Sequence, residues 1–136
     1  MRELTDEAIE AHIEHGKRTP VVNSTMHLYS INGAPHRVGP EETAFAHRDA
    51  KYAVVIAGMW PDPADNEANI EWVRDYYAAI HSHSGTEGAY INFMSDDDAT
   101  RAPENYGRNN ERLRRVKKAY DPDNLFHLNQ NIEPSG

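Results

Sequence analysis

Residues 104–132 constrain this chain more than any other stretch, because they state where a helix must run and where it must stop. Tyr106, Leu113, Val116 and Tyr120 recur at steps of seven, three and four, which places them on one helical stripe. Arg108, Arg112, Arg114, Arg115, Lys117 and Lys118 take the other faces. Pro122 cannot extend a helix and disfavours helical backbone at Asp121. A helix is therefore predicted over 103–120, a turn at Asp121-Pro122-Asp123-Asn124, and then a tail of apolar and amide residues from Leu125 to Ile132.

Upstream, Leu4, Ala8, Ile9 and Ile13 have helical spacing, with Thr5 as N-cap and Gly16 as the stop. Residues 21–31 have strand character, Asn32-Gly33 marks a turn, and 43–47 could open another strand. Over 52–60, Tyr52, Val54, Ile56 and Trp60 alternate with Ala53, Val55, Ala57 and Met59. Both faces are apolar, so a central strand covered on both sides is expected. Asp62 and Pro63 open a helix over 63–82 with a stripe of Ile70, Val73, Tyr77 and Ile80. A short strand is expected over 89–93, then an acidic loop over 95–100. This order reads as α+β, an antiparallel or mixed sheet with helices packed on one face.

Composition narrows the function classes. The 136 residues suffice for one domain, and they carry 22 Asp and Glu against 14 Lys and Arg, a formal net charge of -8. General attraction to nucleic acid or to an anionic membrane is disfavoured, even with six basic residues between Arg108 and Lys118. There is no cysteine, hence no disulfide framework, thiolate metal site or cysteine nucleophile in these residues. No apolar run approaches the roughly 20 residues of a membrane span, and residues 1–7 lack the apolar centre of a signal peptide, so a cytoplasmic protein is the expectation. His12 with His15 and His81 with His83 lack a third ligand at metal spacing, and Asp96-Asp97-Asp98 lacks the glycine and distal Glu of a calcium loop, so no metal is expected.

The C-terminal stretch resembles the signature of the berberine-bridge-enzyme-like FAD-linked oxidoreductases. The matching residues are Tyr106-Gly107-Arg108-Asn109, Arg112-Leu113, Val116-Lys117, the run Tyr120-Asp121-Pro122-Asp123-Asn124-Leu125-Phe126, and Asn129-Gln130-Asn131-Ile132. Asn32-Gly33-Ala34, Thr43-Ala44-Phe45-Ala46-His47-Arg48, Trp60-Pro61-Asp62-Pro63, Trp72-Val73-Arg74 and Gly88-Ala89-Tyr90-Ile91-Asn92-Phe93 extend the likeness backwards. The resemblance implies a partial substrate domain: residues 1–88 as the end of a substrate-binding sheet, and 89–132 as the berberine-bridge-like segment. It implies FAD in the complete enzyme, a small organic substrate, and an N-terminal FAD-binding domain or subunit as partner. The chain is then a fragment, a truncated product or a separate subunit, inactive by itself. The alternative is a non-catalytic module that keeps the fold and forms a homodimer.

Tyr90 and Asn92 lead the candidate site residues. On a strand they would share one face, opposite Ile91 and Phe93. Tyr90 could act as a catalytic base if a partner lowered its pKa, and the resemblance puts flavin-edge contacts on this segment, with Tyr90 and Asn92 among them. Asn129, Gln130 and Asn131 are costly to bury unpaired; the resemblance suggests Asn129 and Asn131 as cofactor contacts. For His47-Arg48, Arg48 could anchor an acidic group or simply pair with one of the many carboxylates, and the structural role is the expectation.

Overall fold

The computed structural model describes residues 1–86, 88–94 and 102–136, so the acidic loop expected over 95–100 lies outside the described residues. The chain divides into two compact units, residues 1–31 with 50–86 and residues 32–49 with 87–136. Each is built on a different principle.

The first unit has helix α1 (Asp6–Lys17), strands β1 (Thr25–Ser30) and β2 (Tyr52–Ala57), and helix α2 (Asn66–Ser82). Thr5 caps α1 as expected, its hydroxyl accepting from the Ala8 amide at 3.3 Å. The expected stop at Gly16 is not made there. The helix runs on through Lys17, and the Gly16 carbonyl instead accepts from the Thr19 hydroxyl at 2.7 Å. The strands pair antiparallel, with Met26 opposite Ile56, Leu28 opposite Val54 and Ser30 opposite Tyr52. Strand β2 was expected to be central, yet it has only β1 as a partner strand among the described residues. Asp62 caps the entry to α2 through a short 3-10 turn at Pro63–Asp65.

The core of this unit is Met1, Ala8, Trp72, Tyr76 and Ile80, with Leu4, Met26, Tyr52, Val54, Ile56 and Val73 packed around it. Half of each expected stripe keeps its place, with Ala8 and Ile80 in this core and Leu4 and Val73 packed against it. Ile9, Ile13, Ile70 and Tyr77 are exposed, while His12, Asn69, Trp72 and Tyr76 are buried. The reason is polar matching. The Tyr76 hydroxyl lies 2.9 Å from His12 Nδ1, and the Trp72 indole N–H donates to the His15 carbonyl at 2.9 Å. Large aromatics bring the most apolar area into a core once their polar atoms find partners. Burial pushes the His12 imidazole below its ordinary value and the Tyr76 phenol above its own. Gly58 admits no side chain, since a Cβ there would meet Trp60 at 2.8 Å and Val73 at 2.9 Å.

The second unit is mostly irregular chain pinned to short helices. Gly33, at φ 73°, makes the Asn32-Gly33 turn into a 3-10 turn at Ala34–Arg37. The strand expected over 43–47 does not form. Arg48 gathers that loop instead, donating to the carbonyls of Phe45 (3.1 Å) and Pro35 (3.3 Å) and to the Thr43 hydroxyl, with its guanidinium 5.0 Å from the Phe45 ring centre. The long helix expected over 103–120 is interrupted: α3 (Ala102–Tyr106) gives way to a 3-10 turn at Gly107–Asn109, where Gly107 takes φ 50°, before α4 (Asn110–Tyr120).

Asn109 explains the interruption. Buried to 4% exposure, it donates through Nδ2 to the Pro40 carbonyl at 2.7 Å and to that of Ala44 at 3.4 Å. Arg108 pairs with Glu41 at 3.0 Å, and Arg112 donates to the Glu41 carbonyl. The helix stops at Tyr120, as Pro122 requires. Asp121 then folds the exit back: its carboxylate accepts from the Leu125 amide at 2.7 Å and the Phe126 amide at 3.0 Å, and from Lys117, which also donates to the Phe126 carbonyl. Among the described residues no helix is long and apolar enough to cross a membrane.

Candidate functional site

The segment 89–93 was expected as a strand. It forms an extended entry and a 3-10 turn at Ile91–Phe93, closed by the Phe93 amide on the Tyr90 carbonyl at 2.9 Å and the Met94 amide on the Ile91 carbonyl at 3.4 Å. With no neighbouring strand to pair with among the described residues, the backbone satisfies itself locally. Gly88 sets the entry at φ 73°; a Cβ there would meet Asn105 Oδ1 at 2.7 Å. Asn105, 5% exposed, accepts the Ala89 amide and donates to the Met94 sulfur, so it fixes both ends of the turn.

The turn still gathers Tyr90 and Asn92 on one side, by a different route from strand alternation. Asn92 Nδ2 donates to the Tyr90 hydroxyl oxygen at 2.9 Å. The Tyr90 ring meets Phe93 edge-on at 5.0 Å and Phe45 edge-on at 6.0 Å. Tyr90 is 41% exposed and Phe93 57%, so the hydroxyl, the amide and an aromatic shelf all face outward. His47 stands behind, its ring edge-on to Phe45 at 5.8 Å. Burial pushes the His47 imidazole down, against the opposing pull of the Asn105 backbone and Asp49.

The amide tail comes to the same place. Gln130 Nε2 donates to the Met94 carbonyl at 3.3 Å, which sets Asn129-Gln130-Asn131 beside the turn. Asn129 occupies the left-handed region at φ 57° and is exposed, and its carbonyl accepts the Asn131 amide at 3.0 Å. The Asn131 side-chain oxygen is shut off from solvent and meets no hydrogen-bond partner among the described residues. Gln130 therefore ties the 129–131 group to Met94, two residues beyond the 90–92 group, although some forty residues separate the two groups in the chain. Phe45 reaches Tyr90 from far away in the chain, and within the amide tail it is Gln130, rather than Asn129 or Asn131, that bonds to the turn's end. Arg48 takes a structural place, but its partners are the Phe45 and Pro35 carbonyls and the Thr43 hydroxyl rather than the expected carboxylate.

Exposed, neighbouring phenol and amide groups on an aromatic shelf suit recognition of a flat, polar-edged molecule. Residues 89–133 match the family described as "Berberine and berberine like". The chain is 33% identical over 131 residues to an uncharacterized FAD-linked oxidoreductase of Bacillus subtilis, covering 96% of this chain and 29% of that protein. It is 32% identical over 126 residues to aclacinomycin-N/aclacinomycin-A oxidase of Streptomyces galilaeus, covering 80% of this chain and 23% of that one. Among solved structures, a glycopeptide hexose oxidase complexed with teicoplanin superposes with a TM-score of 0.78 at 30% identity, over 98% of this chain and 30% of the other. The BBE-like 1 protein of Physcomitrella patens gives a TM-score of 0.82 at 25% identity, over 97% and 28%. The chain thus spans less than a third of the length of each of these relatives, and it belongs to the berberine-bridge-like branch of the FAD-linked oxidoreductases.

Proposed function

We propose that this chain forms one wall of the substrate pocket, and a few flavin-edge contacts, of an FAD-dependent oxidase completed by an N-terminal FAD-binding domain or subunit. The observation that carries the reading is the bond from Gln130 to the Met94 carbonyl, which brings the amide tail to the end of the turn that carries the Tyr90–Asn92 pair. Its residues fit the edge of a flavin ring. Asn92 and Asn129 are exposed amides that can donate to and accept from a flavin edge, and we place Asn131 with them through its amide nitrogen, its side-chain oxygen being closed off from solvent. FAD, when bound, supplies the acceptor for a hydride leaving a substrate carbon.

The protein side of the chemistry falls to Tyr90. Its hydroxyl is held by Asn92, with the aromatic ring braced by Phe45 and Phe93. That bracing restricts the ring, so the hydroxyl keeps one direction toward a bound substrate. We place proton removal from a substrate hydroxyl there. Relatives named for xylooligosaccharides and for aclacinomycin, and solved structures named for chitooligosaccharide and for a glycopeptide hexose, favour an organic substrate with sugar hydroxyls. Apolar rings at the shelf would cover the C–H face of such a ring.

The test has two parts. The chain by itself, incubated with FAD and desalted, is expected to stay colourless. Joined to an upstream flavin-binding part it is expected to retain absorbance near ~450 nm; a longer protein that binds no flavin would sink the reading. In that longer protein, Tyr90→Phe should keep the flavin and lower substrate-dependent flavin reduction by about 10²–10⁴-fold. An unchanged rate would remove Tyr90 from the chemistry.

The second reading, a non-catalytic module that dimerises, draws on the same exposed surface. Tyr120, Leu125, Phe126 and Leu128 are 72–87% exposed. An apolar patch of this kind seeks a cover, and we assign it to the flavin-bearing part, with a homodimer as the competing occupant.

A further inference from the structure

Three hydrogen bonds meet at Met94. Its sulfur accepts from Asn105 Nδ2 at 2.7 Å, its carbonyl accepts from Gln130 Nε2 at 3.3 Å, and its amide donates to the Ile91 carbonyl at 3.4 Å. Asn105 accepts the Ala89 amide through its other side-chain atom, so one residue ties the entry of the Tyr90 turn to the sulfur at its exit. A thioether is a weak acceptor, and it is also the one group in this cluster that mild oxidants change.

The four methionines differ in exposure. Met1 is buried and Met26 packs against the core of its unit, whereas Met59 is 51% exposed and Met94 is half-buried. Exposure alone therefore puts Met59 first in line for an oxidant in solvent. Met94 has a different claim. It stands two residues from Asn92, and its carbonyl holds the residue between Asn129 and Asn131, so it adjoins both groups assigned to the flavin edge. In an FAD-dependent oxidase two electrons and two protons leave with dioxygen as hydrogen peroxide.

From this we infer, resting on the proposed function, that Met94 is a modification site for peroxide released at the flavin, and that its sulfoxide frees Asn105 and loosens the turn that carries Tyr90. The step balances. A sulfur lone pair attacks one peroxide oxygen, the O–O bond breaks and an S–O bond forms. The proton of the transferred oxygen goes to the departing hydroxide, which leaves as water; sulfur gives up two electrons and the peroxide takes them. The product is polar and chiral, and its sulfur, now positive in character, no longer accepts the Asn105 N–H. No atom fits between that sulfur and nitrogen at 2.7 Å, so an oxygen added on that side pushes the Asn105 amide away. By either route the hold of Asn105 on Ala89 slackens. Turnover thus supplies its own brake, and reduction of the sulfoxide releases it.

Trypsin leaves Met26, Met59 and Met94 on separate peptides, so the sulfoxide at each is counted by mass. In a first experiment the chain is treated with hydrogen peroxide until Met94 is oxidised. Exchange of the Ala89 amide should speed up by at least about tenfold, a methionine sulfoxide reductase should restore it, and in Met94→Leu peroxide should leave Ala89 as it was. Exchange that ignores Met94 oxidation, or that rises equally in Met94→Leu, would overturn the link through Asn105. In a second, the longer flavoprotein is reduced with dithionite, desalted under nitrogen and reoxidised by air with catalase present, over repeated cycles. Catalase destroys peroxide that reaches solvent, so Met94 should gain oxygen ahead of the more exposed Met59. In a protein that keeps its flavin, Met59 ahead of Met94, or neither oxidised, would overturn the inference and leave the functional reading standing. A protein that holds no flavin would overturn both, since the peroxide then has no source.

Discussion

The two units of this chain reach order by opposite means. Every buried hydrophobic residue among the described residues, Met1, Ala8, Ala50, Trp72, Tyr76 and Ile80, belongs to the first. The second buries Asn105 and Asn109, and leaves Tyr90, Phe93, Val116, Tyr120, Leu125, Phe126 and Leu128 outside. One is held by apolar area, the other by side-chain amides and charges that grip backbone carbonyls. The second is also the unit that contains the family match at 89–133. Much of that signature is structural: Asn109 ties down the 40–44 loop, and Asp121 with Lys117 ties down the tail. The difference teaches that motif residues need not touch substrate to shape the unit that carries Tyr90; Asn109 and Asp121 bond to the backbone of the loop and the tail.

The largest expected effect tests the apolar half. Trp72→Ala should cost about 3–5 kcal/mol, read by chemical denaturation, because it leaves a cavity in the core and strands the His15 carbonyl. A loss under about 1 kcal/mol would mean the first unit does not depend on that core. Next comes the polar half. Asn109→Ala removes the donor to Pro40 and Ala44 and should cost about 1–3 kcal/mol. If it proves silent while Trp72→Ala does not, polar clamping is not what orders the second unit.

Acidification probes the join between α1 and α2. His12 has a folded-state value below its unfolded value of 6.5, so the unfolded chain binds the proton more readily. Stability should be fully present above about pH 6.5 and decline as pH falls from there toward the lowered folded value. Thermal melts at several pH values, with His12→Gln as comparison, would show it; an equally steep decline in the variant would assign the effect elsewhere, His47 first, since it shifts in the same direction. Tyr76→Phe removes the hydroxyl bonded to His12 and should cost about 1 kcal/mol. The smallest effect belongs to the outer patch. Phe126→Ser with Leu128→Ser should change the chain's own stability by no more than about 0.5 kcal/mol. The same pair should weaken binding of the flavin-bearing part, and unchanged binding would move the docking surface elsewhere.

What the sequence determined by itself was local. Pro122 ended α4 at Tyr120, Thr5 capped α1, Asp62 opened the approach to α2, and the motif residues from Tyr106 to Ile132 pointed to the family. Each of these follows from groups within a few residues of one another, which is the range over which caps, prolines and turn residues act. Tertiary structure decided the rest. Periodicity favoured Ile70, Val73, Tyr77 and Ile80; Val73 and Ile80 kept their places, but with His12 and the His15 carbonyl arriving from another helix, Trp72 and Tyr76 are buried rather than Ile70 and Tyr77. Strand character at 89–93 gave way to a turn because no neighbouring strand and a buried Asn105 awaited it. The placing of the 129–131 tail against the end of the 91–93 turn depended on one amide, Gln130, reaching the Met94 carbonyl far away in the chain. Local energies can be summed from the sequence, whereas which face is buried and which remote partner is met depend on contacts that exist only once the chain has closed on itself.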